Sequence, residues 1–553
     1  MKFLDVINGV IWHDLVLYVV MGVGVLFTLW SVFCQYRALT HGVAVTAGKY
    51  DNPDDPGAIS HFQALSAALS ATVGLGNIAG VAVAIALGGP GAVFWMWMIG
   101  LAGMALKTTE VALSMLYRNT DEADNPHGGP MFVAAKAFAE RGMPGVGKAV
   151  GAIFCVTLLI SAITGGNMFQ AWNVAGVTKQ YFDVPQLVTG AILAVGVAAV
   201  ILGGIKRIGN VAGTLVPIMC LLYFGTGVYV IILHADQIPH AFSLIFDSAF
   251  SAADGQGAFI GGSAGYAFLW GMKRALFSSE SGQGSSPIAH AAAKTDEPIR
   301  EAVVAGLEPF IDTIVVCTLT AMVILTTGIW NRGAEVEFTG ATLQQVEGGW
   351  TLPETTITPP AGTSNGDAVF TIVEGGQNDA TGQTRHKIGG KAVQHPDGHW
   401  TLQWEPAAVP GTPTLVQQGA WFSYAGATLT AKAFDRGGDG LGKWLVTLAC
   451  WLFAFSTMIS WSYYGEQGVV FLFRGRGVLL YRLLYCALVV VACIPWLVKT
   501  DAELDALTAL GTGVMLWANI PIMLIFGVVA MKAYHAYFRK LKHGDFEGHG
   551  RHD

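Results

Sequence analysis

Long apolar runs alternate with short polar ones along the chain, and eleven of them approach the roughly 20 residues a helix needs to cross a bilayer. They fall at 15–35, 58–87, 91–117, 146–175, 185–202, 211–233, 258–285, 299–329, 444–464, 478–498 and 504–537. Two shorter stretches, 131–140 and 241–252, alternate at helical spacing and read as amphipathic surface helices. Between 330 and about 440 the pattern changes to Thr, Gly, Pro, Asp and Glu, with period-two runs such as Ala368 to Val373 and Trp400 to Trp404. Short alternating strands separated by turn residues predict a small β-rich insert.

Two of the apolar runs are interrupted. The second carries Gly74-Leu75-Gly76-Asn77 at its middle, and the seventh ends in Phe277-Ser278-Ser279-Glu280-Ser281-Gly282-Gln283-Gly284. Backbone released from a helix at membrane depth is tolerated only against protein or a polar cavity. A pair of broken segments in corresponding halves points to a substrate site near the midplane. The run at 15–35 is a leading helix, which leaves ten core helices with breaks in the first and sixth. Five plus five of opposite orientation is an inverted repeat.

The expected fold is therefore an all-α polytopic membrane protein of about 11 helices with a β-rich insert. Its divisions are 1–57 (leading helix and loop), 58–234 (first repeat), 235–329 (start of the second), 330–441 (insert), 442–537 (rest of the second repeat) and 538–553 (tail).

Composition agrees. Hydrophobic residues make up 53% of the 553 and charged residues only 12%, half the soluble average. The 70 glycines suit close helix approach in lipid. All seven cysteines lie in apolar runs, with no disulfide or metal spacing. The N-terminus lacks a basic region, short apolar run and cleavage site, so the first helix is expected to remain in the mature protein.

Short-loop bases set orientation. Lys136, Arg141 and Lys148, then Lys206 and Arg207, then Arg474, Arg476 and Arg482, then Arg539, Lys540 and Lys542 fall in alternate loops. Acidic loops with few bases lie between them. This places the tail in the cytoplasm, and the N-terminus and the insert outside.

The blocks Gly76 to Trp97, Gly128 to Met131, Gly166 to Gln170, Gly203 to Ile208, Lys273 to Glu280, Pro287 to Thr295, Phe453 to Met458 and Trp461 to Gly465 occur in order across the core. Together they resemble the alanine or glycine:cation symporters, also called sodium:alanine symporters, of the amino acid-polyamine-organocation superfamily. The chain departs from the family pattern in both breaks, with Leu75 where the family usually has Thr, and Ser279, Ser281 and Gln283 where it has Asn, Ala and Leu. The insert is longer than the family leads one to expect. The resemblance implies uptake of a small neutral amino acid, alanine, glycine or similar, and a bacterial inner membrane.

At the first break, N–H groups of a half-helix N-terminus at Gly76, Asn77 and Ile78 can bind a carboxylate; a plain kink is the alternative. Asn167 and Gln170, three apart on one helix face, offer amides to substrate or serve as interhelical glue. Ser278, Ser281 and Gly282 belong to the second break, while Phe277 and Trp461 supply apolar walls or plain packing. Carbonyls of Thr72 and Val73 with the hydroxyls of Ser456 and Thr457 resemble the sodium site of five-plus-five transporters; back-bonding to the preceding turn is the other use of such hydroxyls.

Charges within apolar runs cost at least about 2.5 to 3.5 kcal/mol each and need a reason. Glu280, in the second break, and Asp312 are candidates for gate or coupling. Lys107, Lys273 and Arg274 are read as lying near the inner surface, and His61 and His290 as structural. Gly74-x-Gly76-x-x-Ala79 lacks the strand and acid of a dinucleotide fingerprint, and Gly261 to Gly265 lacks the strand-turn context of a nucleophile elbow.

The expectation is an alternating-access symporter driven by sodium, with no organic cofactor, no enzymatic chemistry and no nucleic-acid partner. Its partners are a small neutral amino acid and the lipid bilayer. Proton coupling is the alternative, as is a non-transporting sensor, against which the short tail speaks. Oligomeric state is not legible.

Overall fold

In the computed structural model, residues 2–122, 124–360, 363–378, 382–424, 426–494, 497 and 501–546 are described. The far end of the 478–498 run (495, 496, 498) and the tail from 547 onward lie outside them. In chain order the longer helices are α1 (Lys2–Ile11), α2 (Asp14–Trp30), α3 (His61–Thr72), α4 (Gly76–Gly88), α5 (Gly91–Leu116), α6 (Pro130–Glu140), α7 (Pro144–Phe182) and α8 (Gln186–Ile201). They continue with α9 (Gly204–Leu233), α10 (Ile238–Phe250), α11 (Ala264–Ser279), α12 (Pro298–Thr326), α13 (Ala427–Asp435), α14 (Gly442–Phe473), α15 (Val478–Ala492) and α16 (Asp501–His543).

Seven helices among the described residues are long and apolar enough to span a membrane, or eight when α3 and α4 count as one span bent by 51°. The protein is thus a multi-pass helical membrane protein. α16 runs through Lys540, Lys542 and His543, several residues past the apolar run, and bases in a last turn suit the helix dipole.

Local chemistry sets the ends of the helices that matter. Ser60 caps α3 and Gln63 returns the bond, a reciprocal capping box. Ser263 caps α11. α11 stops where Glu280 takes a left-handed conformation (φ 53°), and Gly282 and Gly284, both at φ 80°, carry the loop onward. Only glycine adopts that backbone without strain. Four of these helices are wound more loosely for a turn or two, at Gly76–Gly80, Thr164–Met168, Phe310–Cys317 and Gly442–Val446. Such π-helical turns displace side chains from ordinary helical spacing.

Packing is concentric. α3 lies against α9 and α14, α4 against α11, and α5, whose buried share is the largest of the spans, against α11, α12 and α16. α8, α9 and α15 turn large apolar side chains outward, among them Val195, Leu221 and Leu480. An outward-facing apolar surface of this kind is what lipid requires.

Among the described residues the insert forms nine strands: β1 (Val336–Glu337), β2 (Gln344–Val346), β3 (Gly349–Thr351), β4 (Thr355–Ile357), β5 (Ala368–Glu374), β6 (Arg385–Gln394), β7 (Trp400–Trp404), β8 (Thr414–Leu415) and β9 (Gly419–Phe422). The antiparallel sheet runs β1-β9-β5-β6-β7-β4, with β8 on β5 and a separate β2-β3 hairpin. Thr371 faces Ile388 in the central pair. β5 is buried on both faces: Val369 and Val373 enter the insert's own core, while Phe370 and Ile372 pack with Trp421 onto Ala258 of the helical body. The Arg385 guanidinium donates to the Gly255 carbonyl across the same seam. α13, within the range read as insert, instead buries Leu429, Ala431 and Phe434 in the helical core.

Candidate functional site

The two breaks meet. Gly76 stands against Phe277 and Ser278, and a side chain at Gly74 would touch the Thr457 hydroxyl, since its Cβ position is 2.7 Å from that oxygen. Glycine is therefore needed at 74 for the close approach of α14. Between them lies an inner cavity of about 30 Å³, room for about two water molecules. Thr72, Gly74, Gly76, Gln170, Phe277, Glu280, Thr457 and Trp461 line it with Gln283 of the second break, as do three hydroxyl residues the sequence did not single out: Ser161, Thr508 and Thr512.

Its polar atoms are unevenly satisfied. Trp461 Nε1 donates to Glu280 Oε1 at 3.1 Å, and Ser285 donates to Oε2 at 2.5 Å. Gln170 and Gln283 give their amide N–H groups to the carbonyls of Gly165 and Leu276, leaving both Oε1 atoms buried without a partner. The Thr457 hydroxyl is also unpartnered. Buried polar atoms are nearly always bonded, so orphans that converge on one cavity mark where a ligand belongs.

The other sequence candidates are distributed differently. Ser456 spends its hydroxyl on the carbonyls of Phe453 (2.9 Å) and Ser70 (3.3 Å), and Thr72 bonds back to Ala68 and Leu69. Asn167 turns to α15, donating to the Tyr485 carbonyl at 2.8 Å, outside the cavity. The loosened turn Thr164–Met168 separates it from Gln170, which does face the cavity. Asn77 is fully buried and lies behind the break: its Oδ1 accepts from Gly74 N at 2.9 Å and its Nδ2 donates to Asp312 Oδ1 at 2.6 Å. Ser278 donates to the same carboxylate at 3.0 Å and Thr313 at 2.8 Å. The Ile78 carbonyl accepts from Thr430 of α13. Val73 is buried at the end of α3, Ser281 packs against Gly103, and the Gly282 carbonyl accepts from Asn519.

A second polar assembly lies behind Glu280. Lys107, wholly buried, is 3.3 Å from Glu308 and 3.8 Å from Glu110. Glu308 accepts from Ser286 and pairs with His290 Nε2 at 2.6 Å; the other nitrogen of His290 bonds Glu301, which also bonds His61. Lys107 is thus not a surface base. Beyond this chain, Arg118 donates to the carbonyls of Pro56, Ala291, Ala293 and Thr295, tying the start of the α3 segment to the loop after α11. Glu301 and Glu308 escaped the sequence reading, since acids spaced by seven near a helix start look like a solvated face.

On the insert side of the break, a larger cavity of about 490 Å³ lies between α4, α7, α11 and α13. It shares Leu75, Gly76 and Phe277 with the inner one. Arg274 lines it, on the side of the break that carries α13 and the insert.

A family model described as the sodium:alanine symporter family matches residues 1–358 and 413–549. Residues 359–412, which hold β5, β6 and β7, fall outside the match. Sodium/alanine symporter AgcS of Methanococcus maripaludis is 36% identical over 486 residues, 88% of this chain and 86% of that one. The putative sodium/proton-dependent alanine carrier protein YrbD of Bacillus subtilis is 30% identical over 542 residues, 98% and 93% of the two chains. The probable sodium/glutamine symporter GlnT of the same organism is 34% identical over 349 residues, 62% of this chain and 70% of that one.

Proposed function

Because the chain belongs to the sodium:alanine symporter family, we propose that it couples inward sodium flow to uptake of a small neutral amino acid, alanine, glycine or similar, by alternating access. The observation that carries the reading is the inner cavity, where both breaks and the unpartnered oxygens of Gln170, Gln283 and Thr457 converge on one enclosed space. The first N–H groups of α4, around Gly76, face the substrate carboxylate; the Asn77 N–H itself is bonded to Gly74. Glu280 and the free Oε1 atoms of Gln170 and Gln283 accept from its ammonium. Phe277 and Trp461 wall the short side chain.

Sodium is carried with the substrate. It takes hard oxygen ligands, and the Thr457 hydroxyl with the carbonyls freed at Thr72 and Val73 supplies them. Ser456, whose proton is already given to carbonyls, adds lone pairs. The energy comes from the ion gradient and the membrane potential, about 2.3 kcal/mol per charge per 100 mV.

Counting the bent pair as one span and adding α8, α15 and α11 to the long helices gives eleven crossings. The same count supports a leading helix followed by a five-plus-five inverted repeat. The basic loops support an extracytoplasmic insert, and the family resemblance with the short loops supports a bacterial inner membrane; on that reading the 490 Å³ cavity is the outer mouth.

Thermal stabilisation of purified protein by alanine tests the binding half of the reading. Alanine is expected to raise the melting temperature in sodium and to lose that effect when potassium replaces it. Equal stabilisation in both salts would remove sodium from the site.

A further inference from the structure

We propose that the outer cavity contains a carboxylate-docking site built on Arg274, where the amino acid is held before it passes to the inner cavity; this rests on the transport reading above. Among the described residues Arg274 is the one ionisable side chain lining that cavity, and none of the lining side chains is acidic. Its Nε is buried without a hydrogen-bond partner, and it has no ion pair among the described residues. What it does have is a face of Trp270, with the guanidinium carbon 5.4 Å from the ring centroid. Stacking fixes the plane of a guanidinium while leaving its edge free for bidentate carboxylate bonds.

An unpaired cation within a span is costly unless it serves a pathway. Lys107, the buried lysine of α5, lies 3.3 and 3.8 Å from two glutamates, whereas Arg274 has no carboxylate partner among the described residues.

Register places this group on the path. α4 and α11 run antiparallel, with Gly76 beside Phe277 and Gly80 beside Arg274, whose Cδ is 3.7 Å from the Cβ position at 80. Residues 274 and 277 share a face of α11, an ordinary α-helix, and at about 1.5 Å rise per residue Arg274 stands roughly 4.5 Å outward of Phe277 and the inner site. Leu75 and Phe277 form the partition between the cavities. A carboxylate docked at Arg274 therefore moves one turn to reach the N–H groups of α4, once that partition opens. The site selects for a free carboxylate and against cationic solutes before any contact with the inner cavity.

The test is initial-rate uptake of labelled alanine into proteoliposomes under an inward sodium gradient, with full-length wild-type, Arg274→Lys and Arg274→Gln proteins. Arg274→Gln is expected to raise KM at least tenfold with Vmax within twofold of wild type, and Arg274→Lys to fall between. Benzoate, a carboxylate too bulky for the inner cavity, is expected to inhibit the wild type competitively and Arg274→Gln at least tenfold less. Replacing chloride with sulfate is expected to leave the wild-type KM unchanged.

An unchanged KM in Arg274→Gln, or a fallen Vmax at constant KM, would overturn the proposal in favour of a packing role. So would a wild-type KM that follows chloride, which would make the inorganic anion the ligand. If Arg274→Gln does not fold, absence of competitive benzoate inhibition in the wild type overturns it alone. A wild type that accumulates no amino acid at all would instead remove the transport reading, and the docking site with it.

Discussion

The carboxylate of Asp312 accepts a 2.6 Å hydrogen bond from the Asn77 amide, whose oxygen in turn holds the Gly74 N–H at 2.9 Å. A residue of α12 thereby sets the geometry of the break between α3 and α4 without touching the inner cavity. Asn77→Ala leaves Gly74 N–H and Asp312 short of partners in a buried site. Uptake is expected to fall at least about 100-fold, a change of about 2.7 kcal/mol, with membrane insertion intact. Uptake per inserted molecule, from quantified protein in proteoliposomes, checks it; wild-type rates would remove Asn77 from the site.

Thr457 and Ser456 are neighbours with different uses. Thr457→Val removes an unpartnered hydroxyl and keeps the volume, so the sodium concentration for half-maximal uptake is expected to rise about tenfold, about 1.4 kcal/mol. Thr457→Ser should stay near wild type. Ser456→Ala, which removes a hydroxyl already bonded to Phe453 and Ser70, should shift the sodium requirement less than Thr457→Val does. A sodium titration of uptake separates the three.

Gly74→Ala places a methyl group 2.7 Å from the Thr457 oxygen. Overpacking of this kind costs about 1 to 3 kcal/mol. A lowered melting temperature with loss of alanine binding is expected, and Gly74→Ala combined with Thr457→Ser should not recover, because the oxygen remains. Normal binding by Gly74→Ala would mean α14 can move away.

His290 has a carboxylate at each ring nitrogen, Glu301 and Glu308, so either the imidazole carries two protons or one acid is protonated. The assembly holds an extra proton in both cases. His290→Ala takes one partner from each of two buried carboxylates, leaving Glu301 with His61 and Glu308 with Lys107 and Ser286, and is expected to destabilise the protein by about 3 kcal/mol. Lys107→Met together with Glu308→Leu, which removes both partners of a pair, should cost less than Lys107→Met alone. Thermal unfolding in detergent measures the difference.

Glycines and amides inside apolar runs made the breaks legible in the sequence, and the fall in hydropathy after residue 330 marked the insert. The rest needed contact information. α13 was hidden because its composition matches the insert's, although its apolar face belongs to the helical core. Asn167 and Gln170 share a face only on an ideal helix, and the loosened turn at Thr164–Met168 puts Asn167 against α15 instead. Ser161, Thr508 and Thr512 are ordinary hydroxyls in apolar helices, and nothing local distinguishes one that lines a cavity from one that bonds its own turn. His61 and Glu301 are 240 positions apart, so a pair of that kind emerges only when α3 meets α12.

Accumulation of labelled alanine by proteoliposomes, under an inward sodium gradient and then under an inward proton gradient with potassium replacing sodium, tests the central claim most directly. Saturable, concentrative uptake with sodium alone is the predicted result. Concentrative uptake with the proton gradient alone, or none with sodium despite detectable alanine binding, would contradict sodium-coupled symport.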